Sequence, residues 1–156
     1  MRAVIKAGIC FLSLLLCIFC TGCSLVDYTY AYDQPYENIV KVEVCQYHYA
    51  TNPKDAYVTP VMELDLDDAK ALLADISALD CHKPFGDHSR TYGAIVLYIH
   101  YANGEAEVQG MVNSASVDMD GEWTIKAYYF DFAQWCSALV TYIDLETVPE
   151  LAPYLE

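Results

Sequence analysis

Thiol, imidazole, carboxylate and hydroxyl side chains are most concentrated in residues 81–93, CHKPFGDHSRTYG. Cys81, His82 and His88 are of the types that bind zinc, but they supply three ligands where a closed zinc site needs four. No C-x-x-C pair occurs after residue 23 that could complete the set. We keep these three residues as an alternative metal site and expect no resident cofactor.

The same loop contains Asp87-His88-Ser89, the three residue types of a hydrolase triad. Triad residues meet in space from separate elements, and no G-x-S-x-G turn precedes a helix here. Residues 116–121, SVDMDG, begin like a calcium-binding loop, but Ala127 stands where the final glutamate is required. We therefore interpret the first segment as a polar loop and the second as a hairpin turn. A secreted metal-dependent or hydrolytic enzyme that uses residues 81–93 stays as the alternative function.

Alternating side chains predict the strands that would position any site. Residues 38–49 form a half-buried strand by this period-two pattern, and residues 57–64 form a second strand, which Pro60 places at a sheet edge. Residues 94–112 predict a hairpin around Asn103-Gly104, the favoured pair for a two-residue turn. Residues 122–129 predict a further strand. The two-residue turn would pair Tyr101 with Ala106, Ile99 with Val108 and His100 with Glu107.

Two amphipathic helices complete the predicted domain. Residues 65–80 follow the capping residue Asp65, and residues 131–144 follow Asp131 with Gln134 three positions later. Each has apolar residues at helical spacing, and Cys136 lies on the apolar stripe of the second helix. The predicted fold is α+β: an antiparallel sheet of about five strands with two helices on one face, in the order ββαβββα.

A sheet covered by helices on one side leaves its other face open. Tyrosine is enriched at protein interfaces, so we predict a binding surface there, with Tyr47, Tyr98, His100 and Tyr128 as its candidate binding residues. The alternative is an ordinary solvated face, because tyrosine also favours strands. The full predicted face comprises Lys41, Glu43, Tyr47, Tyr98, His100, Glu107, Lys126 and Tyr128.

The first 23 residues carry an export pattern. Arg2 and Lys6 precede an apolar run over residues 7–19, and the small residues Thr21 and Gly22 lead to Cys23. This stretch resembles the signal of bacterial lipoproteins, in which a small residue precedes a cysteine that receives lipid and becomes the mature N-terminus. The resemblance implies lipidation at Cys23 and a protein held on the extracytoplasmic face of the cell membrane. An uncleaved membrane helix is the alternative, since an apolar stretch extended to residue 26 has about the 20 residues that a span needs.

The net charge of residues 23–156 limits the classes of partner that this part of the chain can bind. Six basic and 22 acidic residues follow Cys23, so residues 23–156 carry a net charge of −16. Nucleic acid is excluded because its recognition needs a basic surface. Anionic lipid headgroups attract lysine and arginine clusters, so the membrane contact must come from the N-terminal lipid. Basic proteins or peptides fit the charge.

With Cys23 assigned to the lipid, three cysteines remain, Cys45, Cys81 and Cys136, an odd number that allows one disulfide and one free thiol. We expect a signal peptide over 1–22, a lipidated cysteine and flexible tether over 23–37, one α+β domain over 38–145, and a tail over 146–156. The sequence favours a non-enzymatic, membrane-anchored module that binds a protein, a peptide or a cell-wall component. A structural envelope protein is a further alternative.

Overall fold

A computed structural model describes residues 26–49, 56–83, 93–117 and 123–155 of the chain. Within these ranges the strands are β1 (Val26–Asp27), β2 (Ile39–His48), β3 (Tyr57–Glu63), β4 (Cys81–Lys83), β5 (Ile95–Tyr101), β6 (Ala106–Gly110), β7 (Asn113–Val117), β8 (Trp123–Ala127) and β9 (Tyr129–Phe130). The helices are α1 (Leu66–Ser77), α2 (Phe132–Tyr142) and the short α3 (Ala152–Leu155). Single 3₁₀ turns occur at Tyr36–Asn38 and Pro149–Leu151.

The strands form two antiparallel sheets. The main sheet has six strands in the order β3-β2-β5-β6-β7-β8, and a small sheet has the order β1-β4-β9. The predicted α+β class with an antiparallel sheet is therefore confirmed. Strand β7 was missed because its residues NSASV are mostly small and polar, a composition that carries little strand propensity.

Both long helices pack on one face of the main sheet. Their caps form as predicted, with Asp65 accepting from the backbone N–H of Asp67 and Asp131 accepting from that of Gln134. Helix α1 buries Leu72, Leu73 and Ile76, and α2 buries Trp135, Cys136 and Leu139, all in one core with Val42, Val44, Leu97 and Ile99 of the sheet. Each large aliphatic side chain contributes about 1.5–3 kcal/mol by leaving water. We call the opposite side of the main sheet the outer face.

The hairpin between β5 and β6 differs from the predicted one by a single residue. Tyr101 donates its backbone N–H to Glu105 at 3.0 Å, so three residues, 102–104, form the loop, and Gly104 has a φ of +88°. A glycine in this left-handed conformation closes a three-residue hairpin loop. The register becomes Ile99 opposite Glu107 and His100 opposite Ala106. The predicted pairs were therefore wrong, and the slip turns every side chain of β6 to the other face.

The two ends of the domain also differ from the prediction. The predicted tether over 23–37 is folded from residue 26 on: Val26 and Asp27 pair with β4, and Tyr30 is 2% exposed. The predicted C-terminal tail contributes Val148, Leu151 and Leu155 to the core. Apolar residues spaced among prolines were read as a break in structure, whereas they form two short helical turns that cover the core.

The predicted signal segment and Cys23 lie outside the described residues. Within the described ranges, the longest helices are α1 with 12 residues and α2 with 11, and none is long and apolar enough to cross a membrane.

Candidate functional site

Two side chains on the outer face, those of Lys41 and His100, are held by the carboxylate of Glu43. One oxygen of Glu43 (Oε1) lies 2.8 Å from the Lys41 ammonium and the other (Oε2) lies 2.8 Å from Nε2 of His100. Glu63 on β3 lies 3.4 Å from the same ammonium. The hydrogen bond from Lys41 lowers the pKa of Glu43, with His100 acting in the same direction. The adjacent strands β2 and β5 thus hold a fixed row of charged and ionisable groups.

Two tyrosines cover a small apolar centre beside this row. Cys45, Val96 and Val108 are buried on the outer face, and the half-buried Tyr47 and Tyr98 pack against them. The Tyr98 ring lies 4.4 Å from the His100 ring, between centroids. An apolar centre with a rim of polar and aromatic side chains is the usual arrangement of a protein interface.

The fourth predicted binding residue, Tyr128, does not belong to this surface. It is 0% exposed, and its hydroxyl donates to the carbonyl of Gly110 at 2.9 Å. Glu107 and Lys126, which were also predicted on the outer face, lie on the helix side of the sheet. The prediction was wrong for these three residues because it used the two-residue hairpin register and assumed that the apolar residues of β8 point inward. The structure keeps Lys41, Glu43, Tyr47, Tyr98 and His100 on one face.

A second cluster, which the sequence did not reveal, centres on the fully buried carboxylate of Glu107. Tyr30 donates its hydroxyl to Oε1, Tyr101 donates to Oε2 at 2.9 Å, and the backbone N–H of Asp33 donates to Oε2 at 3.4 Å. Burial raises the pKa of Glu107, and the hydrogen bond from Tyr30 opposes that rise. We call Tyr30, Tyr101 and Glu107, with Tyr32 and Gln109 described next, the Glu107 cluster.

The Glu107 cluster fixes the N-terminal segment to the sheet. Tyr32 donates to the side-chain oxygen of Gln109 at 3.0 Å. The next residue, Asp33, accepts hydrogen bonds from Ser116 on β7 and Lys126 on β8. The segment from residue 30 to 33 therefore crosses three strands, contacting each through a hydrogen bond or an ion pair.

A sequence signal for this cluster existed. The alternation of Tyr28, Tyr30 and Tyr32 has the period of an extended segment with one covered side. It was interpreted as a tether because no periodic core-facing side was recognised in the segment, which Pro35 closes. Correct hairpin register would have left two polar side chains facing the core in need of donors.

The alternative metal ligands are not brought together among the described residues. Cys81 is buried in the core, whereas the next residue of β4, His82, packs beside Tyr129 on the other side of the strand. His88 lies outside the described residues, as do Asp87 and Ser89 of the triad-like sequence and residues 118–121 of the calcium-loop-like one. Within the described ranges no group of three or more His, Cys, Asp or Glu residues has the geometry to bind a metal.

The three cysteines beyond Cys23 are all buried and free in the described structure. Burial raises the pKa of Cys45 and of Cys81 to about 12, and it raises that of Cys136 as well. A thiol with so high a pKa stays protonated at neutral pH and is a poor nucleophile or metal ligand. The prediction that Cys136 belongs to the core is confirmed.

An apolar cavity of about 270 Å³ opens between α2 and the C-terminal turn. Phe132, Trp135 and Tyr154 supply its aromatic walls and Met111 part of the remainder. Its side chains offer hydrogen bonding only at the Tyr154 hydroxyl, which pairs with Gln46 at 2.9 Å, and at the indole of Trp135, which is 3% exposed. The cavity therefore lacks the convergent polar groups that orient a ligand.

Comparison with known proteins found no matching family model, no similar curated protein and no similar solved structure.

Proposed function

We propose that this chain is a lipid-anchored, non-enzymatic binding module on the extracytoplasmic face of the cell membrane, whose outer face binds a protein or peptide. One observation carries the binding role: the outer face presents Tyr47 and Tyr98 over an apolar centre, next to a row of side chains already ordered by Glu43. Ordered side chains lose little conformational entropy when a partner arrives.

The charge supports a basic partner. The part of the chain after the signal carries −16, and the side chain of Glu63 at the edge of the outer face is 62% exposed. A positively charged protein or peptide would be steered to this surface and away from anionic lipid. A cell-wall component is the other ligand class that the binding test must separate.

The lipoprotein-like sequence at the N-terminus supports a membrane-anchored location. Only two residues separate Cys23 from β1, so a lipid at Cys23 would hold the domain within roughly 10 Å of the anchored residue, at about 3.5 Å per residue. One acyl group gives marginal membrane binding, and stable anchoring requires more than one hydrophobic attachment.

The anchor is tested by replacing Cys23 with alanine in the full chain. Metabolic lipid labelling should disappear, and the protein should leave the membrane fraction or stay there as a longer, unprocessed form. Intact lipid labelling in the Cys23→Ala variant would refute lipidation at this residue. An unchanged chain that carries no lipid label and has the same length as the variant in the membrane fraction would assign the membrane contact to an uncleaved helix.

The outer face is tested by a matched pair of tyrosine substitutions. Tyr98→Ala removes a ring from the outer face, whereas Tyr57→Ala removes a 59% exposed ring from β3 on the opposite face. Cross-linking in intact cells should recover a partner with the unchanged chain and with Tyr57→Ala, and not with Tyr98→Ala. The partner surface would be refuted if both variants, each with an unchanged melting curve, recovered it equally. Loss of the cross-link after cell-wall digestion, with no protein recovered, would favour the wall component.

A further inference from the structure

We propose that strand β8 pairs antiparallel with β8 of a second copy of this chain, about a two-fold axis at Ile125, to give a twelve-stranded sheet. The proposal rests on the edge of β8 that no strand of the described ranges pairs with, and does not depend on the lipid anchor or on the partner of the outer face.

The hydrogen-bond pattern determines which backbone groups of β8 point outward. Tyr128 donates its backbone N–H to Val112 at 3.2 Å, and the β7–β8 register continues that alignment to Ser114 opposite Lys126. Bonded pairs alternate along an antiparallel ladder. The N–H and C=O groups of Trp123, Ile125 and Ala127 therefore point away from β7, and no described strand lies beyond them.

These outward groups are complementary to themselves. In a pairing centred on Ile125, that residue exchanges two hydrogen bonds with Ile125 of the second copy, and Trp123 and Ala127 exchange two more at each end. Every outward group is then satisfied, whereas a shift by two residues leaves some without a partner. A two-fold axis produces this isologous arrangement from identical strands.

Side chains do not oppose the pairing. Ile125 is 57% exposed and would pack against its copy on the outer face. Thr124 would lie opposite Lys126, whose ammonium is already paired with Asp33 in its own chain. No like charges within the strands are therefore placed directly opposite each other.

The other edge of the sheet explains why the assembly would stop at two. Strand β3 carries Pro60, which has no N–H to offer, and proline is a common means of blocking an edge. Pairing of β8 with β3 of another copy would be head-to-tail and could propagate into a filament. A blocked β3 and an open β8 leave a closed dimer as the favoured product, with the two outer faces continuous.

The experiment is sedimentation equilibrium of the full chain in density-matched detergent. The unchanged chain should show a monomer–dimer equilibrium that strengthens as salt increases, because both copies are acidic and salt screens their repulsion. Ile125→Pro removes two of the six intermolecular N–H donors and no donor to β7, and should raise the dissociation constant roughly 30-fold. Ile125→Val keeps the N–H and serves as the control, which should dimerise like the unchanged chain.

A charge exchange tests the position of the axis even if the proline variant fails to fold. Ile125→Lys and Ile125→Glu alter an exposed side chain, and each should be monomeric because like charges would face each other across the axis. An equimolar mixture of the two should form heterodimers. A monomeric unchanged chain, a dimer of the Ile125→Lys variant as strong as the original, or no association in the mixture would each overturn the proposal.

Discussion

The hydroxyl of Tyr30 tests whether the Glu107 cluster stabilises the fold through a charged hydrogen bond. Tyr30→Phe deletes one oxygen, while the ring keeps its contacts with Tyr32, Tyr128 and Phe130, whose centroids lie 5.0, 4.8 and 5.7 Å away. A hydrogen bond to a charged group contributes about 1.5–3 kcal/mol. Because Glu107 keeps its bond from Tyr101, we expect the free energy of unfolding to fall by about 2 kcal/mol.

The matched control is Tyr36→Phe. Its hydroxyl also joins the N-terminal segment to the domain, but through two 3.3 Å bonds to Leu73 and Ser77 in a half-buried position. Neutral, partly solvated bonds of this kind contribute at most about 1 kcal/mol. Urea denaturation followed by tryptophan fluorescence measures both variants against the unchanged chain.

A double-mutant cycle separates the charge from the geometry. In a Glu107→Gln background the acceptor is neutral, so Tyr30→Phe should cost only about 1 kcal/mol, leaving a coupling energy of about 1 kcal/mol. Equal costs for Tyr30→Phe and Tyr36→Phe, or strict additivity of Tyr30→Phe with Glu107→Gln, would refute the charged hydrogen bond.

Three further outcomes follow from the electrostatics and the caps. Burial raises the folded-state pKa of Glu107, so the contribution of Glu107 to stability falls as the pH rises from its unfolded-state pKa through its folded-state pKa. The folded-state pKa of Glu43 is lowered, so the contribution of Glu43 to stability is lost as the pH falls through that pKa. Melting temperatures measured from about pH 3 to pH 8 should therefore fall less towards neutral pH in Glu107→Gln, and less towards acid pH in Glu43→Gln, than in the unchanged chain. The same pH profile for both variants would contradict these directions. Cys45 and Cys81, with pKa values of about 12, should resist a thiol reagent at neutral pH until urea is added, as peptide mass spectrometry can show, and full labelling of the native chain would contradict their burial. Asp131→Ala should lower the free energy of unfolding by about 1 kcal/mol in urea denaturation by removing the cap of α2, and an unchanged midpoint would show that the cap contributes nothing.

Local patterns predicted the elements that carry their own periodicity. The β2 strand, both long helices and their aspartate caps were found within three residues of their observed ends. Each of these has an apolar stripe that determines its face without reference to distant residues. Strand β7 was not found because its pairing partners on both sides, rather than its own propensity, hold it extended.

The candidate site on the outer face was predicted in part for the same reason. Tyr47, Tyr98 and His100 lie on strands whose alternation is read directly from the sequence, and the structure places all three on one face. Tyr128 was misplaced because the face of β8 depends on what covers it. The N-terminal segment covers this strand and supplies Asp33 as the ion-pair partner of Lys126, so Lys126 rather than Ile125 turns inward.

The turn at Asn103-Gly104 connects two of these errors, the face of β6 and the interpretation of the N-terminal segment as a tether. Asn103-Gly104 allows either a two-residue loop or a three-residue loop with glycine in the left-handed region, and local propensity barely separates them. The longer loop turns Glu107 and Gln109 towards the core, where each requires a hydrogen-bonding partner. Tyr30 and Tyr32 supply those partners. The hairpin register therefore requires the N-terminal segment to pack against the sheet. For this reason the segment before β2 belongs to the domain and is not a tether.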